Sequence, residues 1–407
     1  MIASATTAAP KAQARIGATV PADLQQRLIA LRRDLHQHPE LSFKEERTAS
    51  VLTAALVALD IGGVERVAGT GVVARIAGRN RHAPLVAIRG DIDALPIQEA
   101  TGLPFASANA GVMHACGHDV HATWAVGAAA LLRADPAEGD VLLVLQPAEE
   151  VGKGARAMLE SGALDDVQAI FGAHVDRRFV IGQVVAQAGP LAASADTFEI
   201  VLVGRGAHAA RPHESADPIV GAAALVGALQ TVVSRRVNPA SPAVLTIGVL
   251  SAGTASNVIP DRAVLQGTLR ATDVATRALL HAEVRKIAEG IAAAHGLEAR
   301  VDIDEGVPPV VNSADAAAWA ADAVTALYGS DAVVPLGITN MAGEDFAWYL
   351  ERTRGCFLRV GARREGEPVI AAHSPTFDVA EEAIGVGAAV LAESARRASA
   401  ALAGSTT

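Results

Sequence analysis

The sequence has few cysteines, few aromatic residues and no excess of positive charge. Only two of its 407 residues are cysteine, so a disulfide framework is excluded and a reducing cytoplasm is expected. Lys and Arg number 34 against 44 Asp and Glu, a net charge of −10 without acidic blocks, so no nucleic-acid partner is expected. Aromatic residues make up 3%, which leaves few stacking surfaces for a ligand.

Long hydrophobic runs are absent as well. The longest nearly uncharged apolar run, at 219–233, falls short of the roughly 18 residues that a membrane span needs. The alanine-rich N-terminus has no compact signal-peptide pattern, and residues 1–20 have no hydrophobic period. We therefore expect a loose tail at 1–20 and a cytoplasmic protein without a membrane partner.

The length of the chain predicts two domains, at roughly 100 to 200 residues per domain. Hydrophobic residues make up 51% of the sequence and charged residues 19%, which is ample material for two cores. The first clear element is a helix that begins at residue 21. Leucines at 24, 28, 31 and 35 form one apolar stripe, and Pro39 prevents its continuation.

Strand-like segments then alternate with helical patterns. Strands are expected at 84–88, 141–145 and 169–173, and helices at 122–133 and 154–161. A helix at 313–327, a strand at 356–360 and a helix at 379–402 resume this style near the C-terminus. The alternation predicts an α/β fold in which a mostly parallel sheet is covered by helices on both faces.

A different pattern lies between these two parts. It consists of a strand at 197–203, a helix at 217–235 opened by Pro218, strands at 243–250 and 263–270, a helix at 273–295 and a strand at 299–304. The order β-α-β-β-α-β is that of a ferredoxin-like α+β sandwich. We therefore expect an inserted domain at 193–306 and a discontinuous first domain at 21–192 and 307–407.

The densest group of reactive side chains is MHACGHDVH at 113–121, directly before a helix. Cys116 and His118 would present a thiolate and an imidazole to one cation if this segment is extended. Two alternatives remain open from these residues alone. One is a polar loop with Asp119 as the helix N-cap, and the other is a cysteine nucleophile with His118 as its base.

Acidic residues and an imidazole follow three of the predicted strands. Asp91 and Asp93 follow the first, Glu149 and Glu150 the second, and His174 the third. Open parallel sheets bind ligands beyond the carboxyl ends of their strands, so these side chains are expected at one site. Two neighbouring carboxylates beside a cation can act as ligand and as base. A solvated acidic turn is the alternative for the two glutamates alone.

Three loops carry further candidates. The inserted domain contains GRGAHAARPH at 204–213, with His208, and GTASNVIP at 253–260, with Asn257. Either loop could hold a substrate carboxylate or an oxyanion. His373 lies between a strand and the last helix, where by itself it would be read as a surface histidine.

Six motifs in this order resemble the aminoacylase, hippurate hydrolase and auxin-conjugate (IAA-amino acid) hydrolase group, subfamily D of the twentieth metallopeptidase family. They are HQHPE at 36–40, RGDIDALP at 89–96, MHACGHD at 113–119, QPAEE at 146–150, NVIP at 257–260 and GEDF at 343–346. The resemblance spans roughly 25–395, including the position and size of the inserted domain. It implies hydrolysis of the amide bond of N-acyl amino acids.

The resemblance also implies a two-metal centre. Its five ligands would be Cys116, His118, Glu150, His174 and His373. Five ligands are too many for one tetrahedral zinc but suit two ions, with the cysteine shared between them. Thiolate favours softer metals, while carboxylate and imidazole admit others, so zinc, manganese, cobalt and nickel all remain open.

Other roles follow from the same resemblance. Glu149 would be the general base, and Asp93 would orient a ligand imidazole. Asp91 stands where relatives have a histidine ligand and is left out of the metal set. The inserted domain would serve as lid and dimerisation domain of a homodimer, in which His208 reaches the active site of the other subunit.

The resemblance also implies substrate contacts. Asn257 matches a residue near the substrate, and Arg270 is a candidate for carboxylate recognition. A metal-dependent dipeptidase or carboxypeptidase would use the same centre and is the alternative function. A non-catalytic binding protein on this scaffold would be expected to have lost Glu149 or a ligand, and the sequence retains them all.

Overall fold

The structure, a computed structural model, describes residue 17 and residues 19–404. Most of the predicted tail at 1–20 lies outside the described residues. Its last two residues do not fit the prediction: Val20 is buried against the main core, and the Thr19 hydroxyl oxygen is 3.1 Å from that of Tyr328. Burial of an apolar side chain is favourable, so packing against the core includes residues that precede the first helix.

The described chain divides into two compact units. The first contains the described residues of Met1–Gly189, Asn312–Gly337 and Trp348–Thr407, and the second contains Pro190–Val311 and Ile338–Ala347. The second unit is larger than the expected insertion at 193–306, because it also includes the separate segment Ile338–Ala347. This segment is joined to the unit by a hydrogen bond in which the backbone amide of Ala193 donates to the carbonyl of Asn340, at 3.0 Å.

Nine helices and fifteen strands are labelled here in chain order within the described residues. The helices are α1 Ala22–Gln37, α2 Glu46–Ala58, α3 His118–Ala134, α4 Gly154–Glu160, α5 Pro218–Thr231, α6 Val274–Ala294, α7 Ala314–Tyr328, α8 Ala347–Leu350 and α9 Glu382–Gly404. The strands are β1 Val64–Val67, β2 Gly71–Ile76, β3 Leu85–Asp91, β4 Val141–Gln146, β5 Val167–Val180, β6 Val184–Val185, β7 Gly189–Ala192, β8 Ala195–Val203, β9 Ala207–His208, β10 Ala243–Ala252, β11 Val258–Ile259, β12 Arg262–Ala271, β13 Glu298–Val307, β14 Val310–Asn312 and β15 Arg354–Arg363.

A seven-stranded sheet forms the centre of the first unit, in the order β1-β2-β4-β3-β5-β15-β6. The four central strands β4, β3, β5 and β15 are parallel, and the strands at the two edges are antiparallel. Every residue of β3 and β4 is buried, so both faces of the central strands are covered. The predicted α/β fold with a mostly parallel sheet is confirmed.

Helix packing places the start of α3 at the carboxyl end of β3. Leu24, Leu28 and Leu35 of α1 are buried as the leucine spacing predicts, and α1 and α9 both pack against α3. Gly90 in β3 permits the close approach, since a Cβ there would lie 2.4 Å from the carbonyl oxygen of His121. The motif at 113–121 therefore lies directly beside the end of the sheet.

The second unit is a four-stranded antiparallel sheet with two helices. Its order β10-β12-β8-β13 and its helices α5 and α6 give the ferredoxin-like arrangement that the sequence predicts. Asp217 caps α5 by accepting the amide of Ile219 at 2.9 Å, and Pro218 is its first residue. The α-helix ends at Thr231, and a π-helix continues it as Val232–Arg236.

Together, α5 and this continuation span 218–236. This is the one helix in the described chain that is long and apolar enough to cross a membrane by length and composition, and 33% of its most apolar 18-residue stretch is buried. It exceeds the apolar run at 219–233 because Pro218 and the π turn lengthen it. The buried residues include Ala222, Leu225 and Leu229, which join the core of the unit's own sheet. That is how a helix covers a sheet in a folded domain.

Candidate metal centre

The motif at 113–121 turns sharply at its centre. Gly117 has a φ of 92°, and a Cβ there would lie 2.5 Å from Cγ2 of Val175, so only glycine fits. Helix α3 begins at His118. The segment from Cys116 to His118 is therefore not extended, which was the condition set for a shared site, but the left-handed turn still brings ligand atoms of both side chains to one site.

The predicted ligands come together at this turn. Ligand atoms of Cys116, His118 and His174 lie within 4.8 Å of one another, as do those of Cys116, Glu150 and His373. Cys116 Sγ is 3.3 Å from His174 Nε2, and His373 Nε2 is 3.5 Å from Glu150 Oε2. Cys116 belongs to both groups, so its sulfur is placed where two cations could share it.

Two of these ligand atoms are buried and unpaired. His118 Nε2 and Glu150 Oε1 have no hydrogen-bond partner within the part of the chain that the structure describes. Buried polar atoms nearly always have a hydrogen-bond partner. These two atoms lie 3.8 Å apart, beyond hydrogen-bond distance, which indicates a missing partner between them. Imidazole, carboxylate and thiolate together suit divalent transition metals, and the residues present therefore fit a metal centre.

Hydrogen bonds at the far side of each ring set the tautomers. His118 Nδ1 is 2.9 Å from the carbonyl oxygen of Asp93 and 3.1 Å from its Oδ1, and His174 Nδ1 is 2.7 Å from the carbonyl oxygen of Val175. Each Nδ1 therefore carries the hydrogen when the ring is neutral. The lone pair of each Nε2 is left to face the site, which is the arrangement that orients histidine ligands.

Burial makes the cluster unfavourable without a cation. It raises the pKa of Glu150 to about 7, and with the neighbouring Glu150 it raises the pKa of the Cys116 thiol. Burial also lowers the pKa of His174 and of His373. A thiol with a raised pKa is a poor nucleophile, which disfavours the cysteine-nucleophile alternative. A bound divalent cation would replace these protons with metal–ligand bonds.

Glu149 lies beside the ligand atoms, with Oε2 at 3.8 Å from His118 Nε2. Asp93 fixes the backbone of Glu149 and Glu150, because its two carboxylate oxygens accept the amides of these two residues, each at 3.1 Å. The Ser42 hydroxyl also donates to Asp93, at 2.7 Å. The same carboxylate thus contacts a candidate ligand and both glutamates.

Asp91 is occupied by other partners. It contacts the Arg89 guanidinium and lies 2.7 Å from His121 Nδ1, and His121 Nε2 accepts the amide of Val175 at 3.0 Å. Although burial raises the pKa of Asp91, Arg89 and His118 hold it well below its usual range. Both nitrogens of His121 are used in this way, so the nearby group of Asp91, His118 and His121 offers few free lone pairs for a cation.

The remaining predicted residues lie in the second unit. His208 in β9 pairs with Val258 in β11, and the amide of Ala209 donates to the carbonyl of Asn257 at 3.0 Å. The backbone segments that carry His208 and Asn257 are therefore neighbours, and both residues are exposed. Arg270 is partly buried on β12, with Nη1 at 3.4 Å from the carbonyl oxygen of Met341.

A buried ionic cluster beside the site was not predicted. Asp119 does not cap α3; its Oδ2 accepts from Arg32 Nε at 2.7 Å and lies 2.8 Å from His36 Nδ1, because Gly117 holds the N-cap position and turns Asp119 inward. Arg32 follows Leu28 by four residues and so lies on the apolar stripe of α1. A charged residue on such a stripe is the sequence signal that would have revealed the cluster.

This cluster predicts a pH-dependent stability. Burial alone would lower the pKa of His36, but Asp119 and Glu99 raise it to about 9. The stabilisation is fully present below pH 6.5 and is lost as the pH rises through about 9, on the order of 3 kcal/mol at roughly 1.4 kcal/mol per pKa unit. Urea unfolding from pH 6 to 10 should show a steeper loss for the wild type than for His36→Gln. Equal slopes would contradict this assignment.

The chain is similar to a known protein family and to several of its members. A family model described as peptidase family M20/M25/M40 matches residues 87–397. The N-acetyl-L-cysteine deacetylase of Bacillus subtilis (strain 168) is 42% identical over 376 residues, covering 92% of this chain and 88% of that protein. IAA-amino acid hydrolase ILR1-like 2 of Arabidopsis thaliana is 38% identical over 374 residues, covering 90% and 84%.

A solved structure agrees with these sequence matches. The crystal structure of the Bacillus subtilis YXEP protein, described as a dinuclear metal binding peptidase from the M20 family, is similar with a TM-score of 0.82 and 39% identity. The match covers 92% of this chain and 98% of that chain. A similar fold and a two-metal description therefore coincide in one relative.

Proposed function

The chain belongs to peptidase family M20/M25/M40, and on this premise we propose that it is a metal-dependent amidohydrolase of N-acyl amino acids. The two divalent cations would be held by five residues: Cys116, His118, Glu150, His174 and His373. The observation that carries the proposal is the meeting of these ligand atoms from four separate segments, with two of the buried atoms unpaired. Zinc, manganese, cobalt and nickel all suit this donor set.

The residues of the site would have different roles in hydrolysis. Bound cations would polarise the substrate carbonyl and lower the pKa of a water molecule. Glu149 accepts a proton from the attacking water and delivers it to the nitrogen of the leaving amine, which lets one carboxylate serve as base and then as acid. Asp93 orients the His118 ring through Nδ1 and fixes the backbone of Glu149.

A substrate panel tests the function. Hydrolysis of N-acetyl amino acids and hippurate, compared with dipeptides, distinguishes an amidohydrolase of N-acyl amino acids from a dipeptidase or carboxypeptidase. The proposal expects the N-acyl amino acids to give the highest kcat/KM. A clear preference for dipeptides would select the alternative. A cytoplasmic location is part of the proposal, and it is supported by two cysteines that are both free and buried within the described chain.

We also propose that the second unit forms a homodimer and acts as a lid, with His208 stabilising the oxyanion in the partner's site, and Asn257 and Arg270 contacting substrate. The support is the surface of the second unit. Ile219 and Val220 on α5 are exposed apolar residues. The same helix is rich in small residues, which allow close approach of another backbone.

Mixing inactive variants tests the shared site. His208→Ala and Glu149→Gln chains are each expected to be nearly inactive alone. After subunit exchange, half of the dimers are mixed, and each mixed dimer has one site with both wild-type residues. Activity should therefore recover toward about a quarter of the wild-type value. No recovery despite proven exchange would place His208 in its own chain's site or outside catalysis.

A further inference from the structure

The turn between β4 and α4 carries both active-site glutamates, and its backbone is held by distant carboxylates. Ala148 is fully buried and has a φ of 54°, in the left-handed region that alanine rarely adopts. Its amide donates to Glu45 Oε1 at 2.9 Å. The next two amides, of Glu149 and Glu150, donate to Asp93 at 3.1 Å. Three consecutive amides are thus fixed from outside the turn.

Glu45 is placed for this turn rather than for its own helix. It occupies the N-cap position of α2, but within the described chain its side chain makes no cap bond. Glu40 performs that task, because its carboxylate accepts the amides of Arg47 and Thr48 at 3.2 and 2.8 Å. Glu45 is fully buried, and its second oxygen accepts the Thr70 hydroxyl at 2.5 Å. A buried carboxylate is costly unless its oxygens are used in this way.

We propose that Glu45 is a positioning residue for the active-site turn. Its bond to the Ala148 amide keeps the turn left-handed, and together with Asp93 it aims the carboxylates of Glu149 and Glu150 at the metal centre. Without this acceptor, Ala148 would relax toward negative φ and displace both carboxylates. The effect on rate rests on the proposed function, whereas the effect on the backbone does not.

Two leucine variants separate positioning from stability. Glu45→Leu is expected to lower kcat by about tenfold to a hundredfold with KM within threefold and both metals retained at saturating metal, because small misplacements of reacting groups have large effects on rate. Glu40→Leu removes the same kind of carboxylate-to-amide bonds from α2 alone. It should lower the Tm by a similar amount and leave kcat within twofold. Equal losses of kcat at matched Tm would make Glu45 merely structural.

Rescue variants test the conformational cause. Glycine adopts a φ of 54° without a steric penalty, so Ala148→Gly in the Glu45→Leu background should recover kcat severalfold. Glu45→Gln keeps an acceptor for the Ala148 amide and should retain kcat within about threefold. If Glu45→Leu does not fold, Glu45→Asp replaces it, since the shorter carboxylate cannot reach the same amide. Absence of rescue by glycine in either background would overturn the proposal.

Hydrogen exchange of the metal-free protein supplies a readout that does not depend on activity. The peptide at 143–152 should exchange faster in Glu45→Leu than in Glu40→Leu, because the Ala148 amide loses its acceptor. Unchanged exchange would contradict the positioning role whether or not the enzyme hydrolyses N-acyl amino acids. Faster exchange in Glu45→Leu, combined with a wild-type protein that binds no metal and has no activity, would refute only the proposed function.

Discussion

Glu149→Gln is expected to lower kcat by about a hundredfold or more while both cations stay bound. The amide cannot take a proton from water or return it to the leaving amine, and this is the scale of effect that a general base contributes. The substitution preserves the shape of the side chain and the backbone amide that donates to Asp93. Steady-state kinetics and metal analysis on the same sample give the two quantities.

Glu150→Gln should fail in the opposite way. Glu150 Oε2 is 3.5 Å from His373 Nε2, and its Oε1 is one of the unpaired buried atoms in the described chain. An amide is a weaker ligand than a carboxylate, so this variant should lose metal and, as a consequence, activity. If Glu149→Gln empties the site and Glu150→Gln does not, the roles of the two glutamates are reversed.

Removal of metal is expected to abolish turnover, and Cys116→Ala to lower metal content and activity together. Cys116 is the residue shared by the two groups of ligand atoms, so its loss weakens both positions. Cys356→Ala is the matched control, because Cys356 is also buried and free but belongs to no candidate metal group among the described residues. Its metal content should match that of the wild type.

Thiol alkylation separates this account from cysteine catalysis. Alkylation of Cys116 should be slowed by bound metal and should release metal when it occurs. If instead alkylation removed activity with the metal content intact and without steric obstruction, the nucleophile alternative would be supported. Readdition of metal to chelated protein should restore the rate, since the five ligands come from one folded unit.

Local patterns predicted most of the regular structure. The strand expected at 141–145 is β4, Val141–Gln146, and the β-α-β-β-α-β order holds for the four-stranded sheet and two helices of the second unit. The strand expected at 169–173 continues to Val180, so His174 lies within β5 and not after it. The polar residues at 176–178 interrupt the apolar pattern, so the sequence did not indicate that the strand continues. Pairing with β15 stabilises this part of β5. Helix α2, the short helix α8, the edge strands β1 and β2 and the short strands β6, β7, β9, β11 and β14 were not predicted.

Contacts between distant segments explain what the sequence could not predict at the site. The strand ends indicated where Glu149 would lie, and the family resemblance supplied the ligand set. The Ala148 amide donates to Glu45, 103 positions away, and the Arg32 guanidinium donates to Asp119, 87 positions away. No spacing rule predicts such pairs, because they depend on the packing of α1 against α3 and of α2 against β1, β2 and α3. The first bond involves the residue just before Glu149, and the second involves the residue just after His118.

The most direct test of the account is the metal content of fully active protein. Elemental analysis of the enzyme, purified without chelators and assayed on an N-acetyl amino acid, should find two transition-metal ions per chain. Activity should rise with occupancy as metal-free protein is titrated and should reach its maximum at two equivalents. Full activity in protein that contains no transition metal, or an unchanged rate after exhaustive chelation, would contradict the two-metal mechanism.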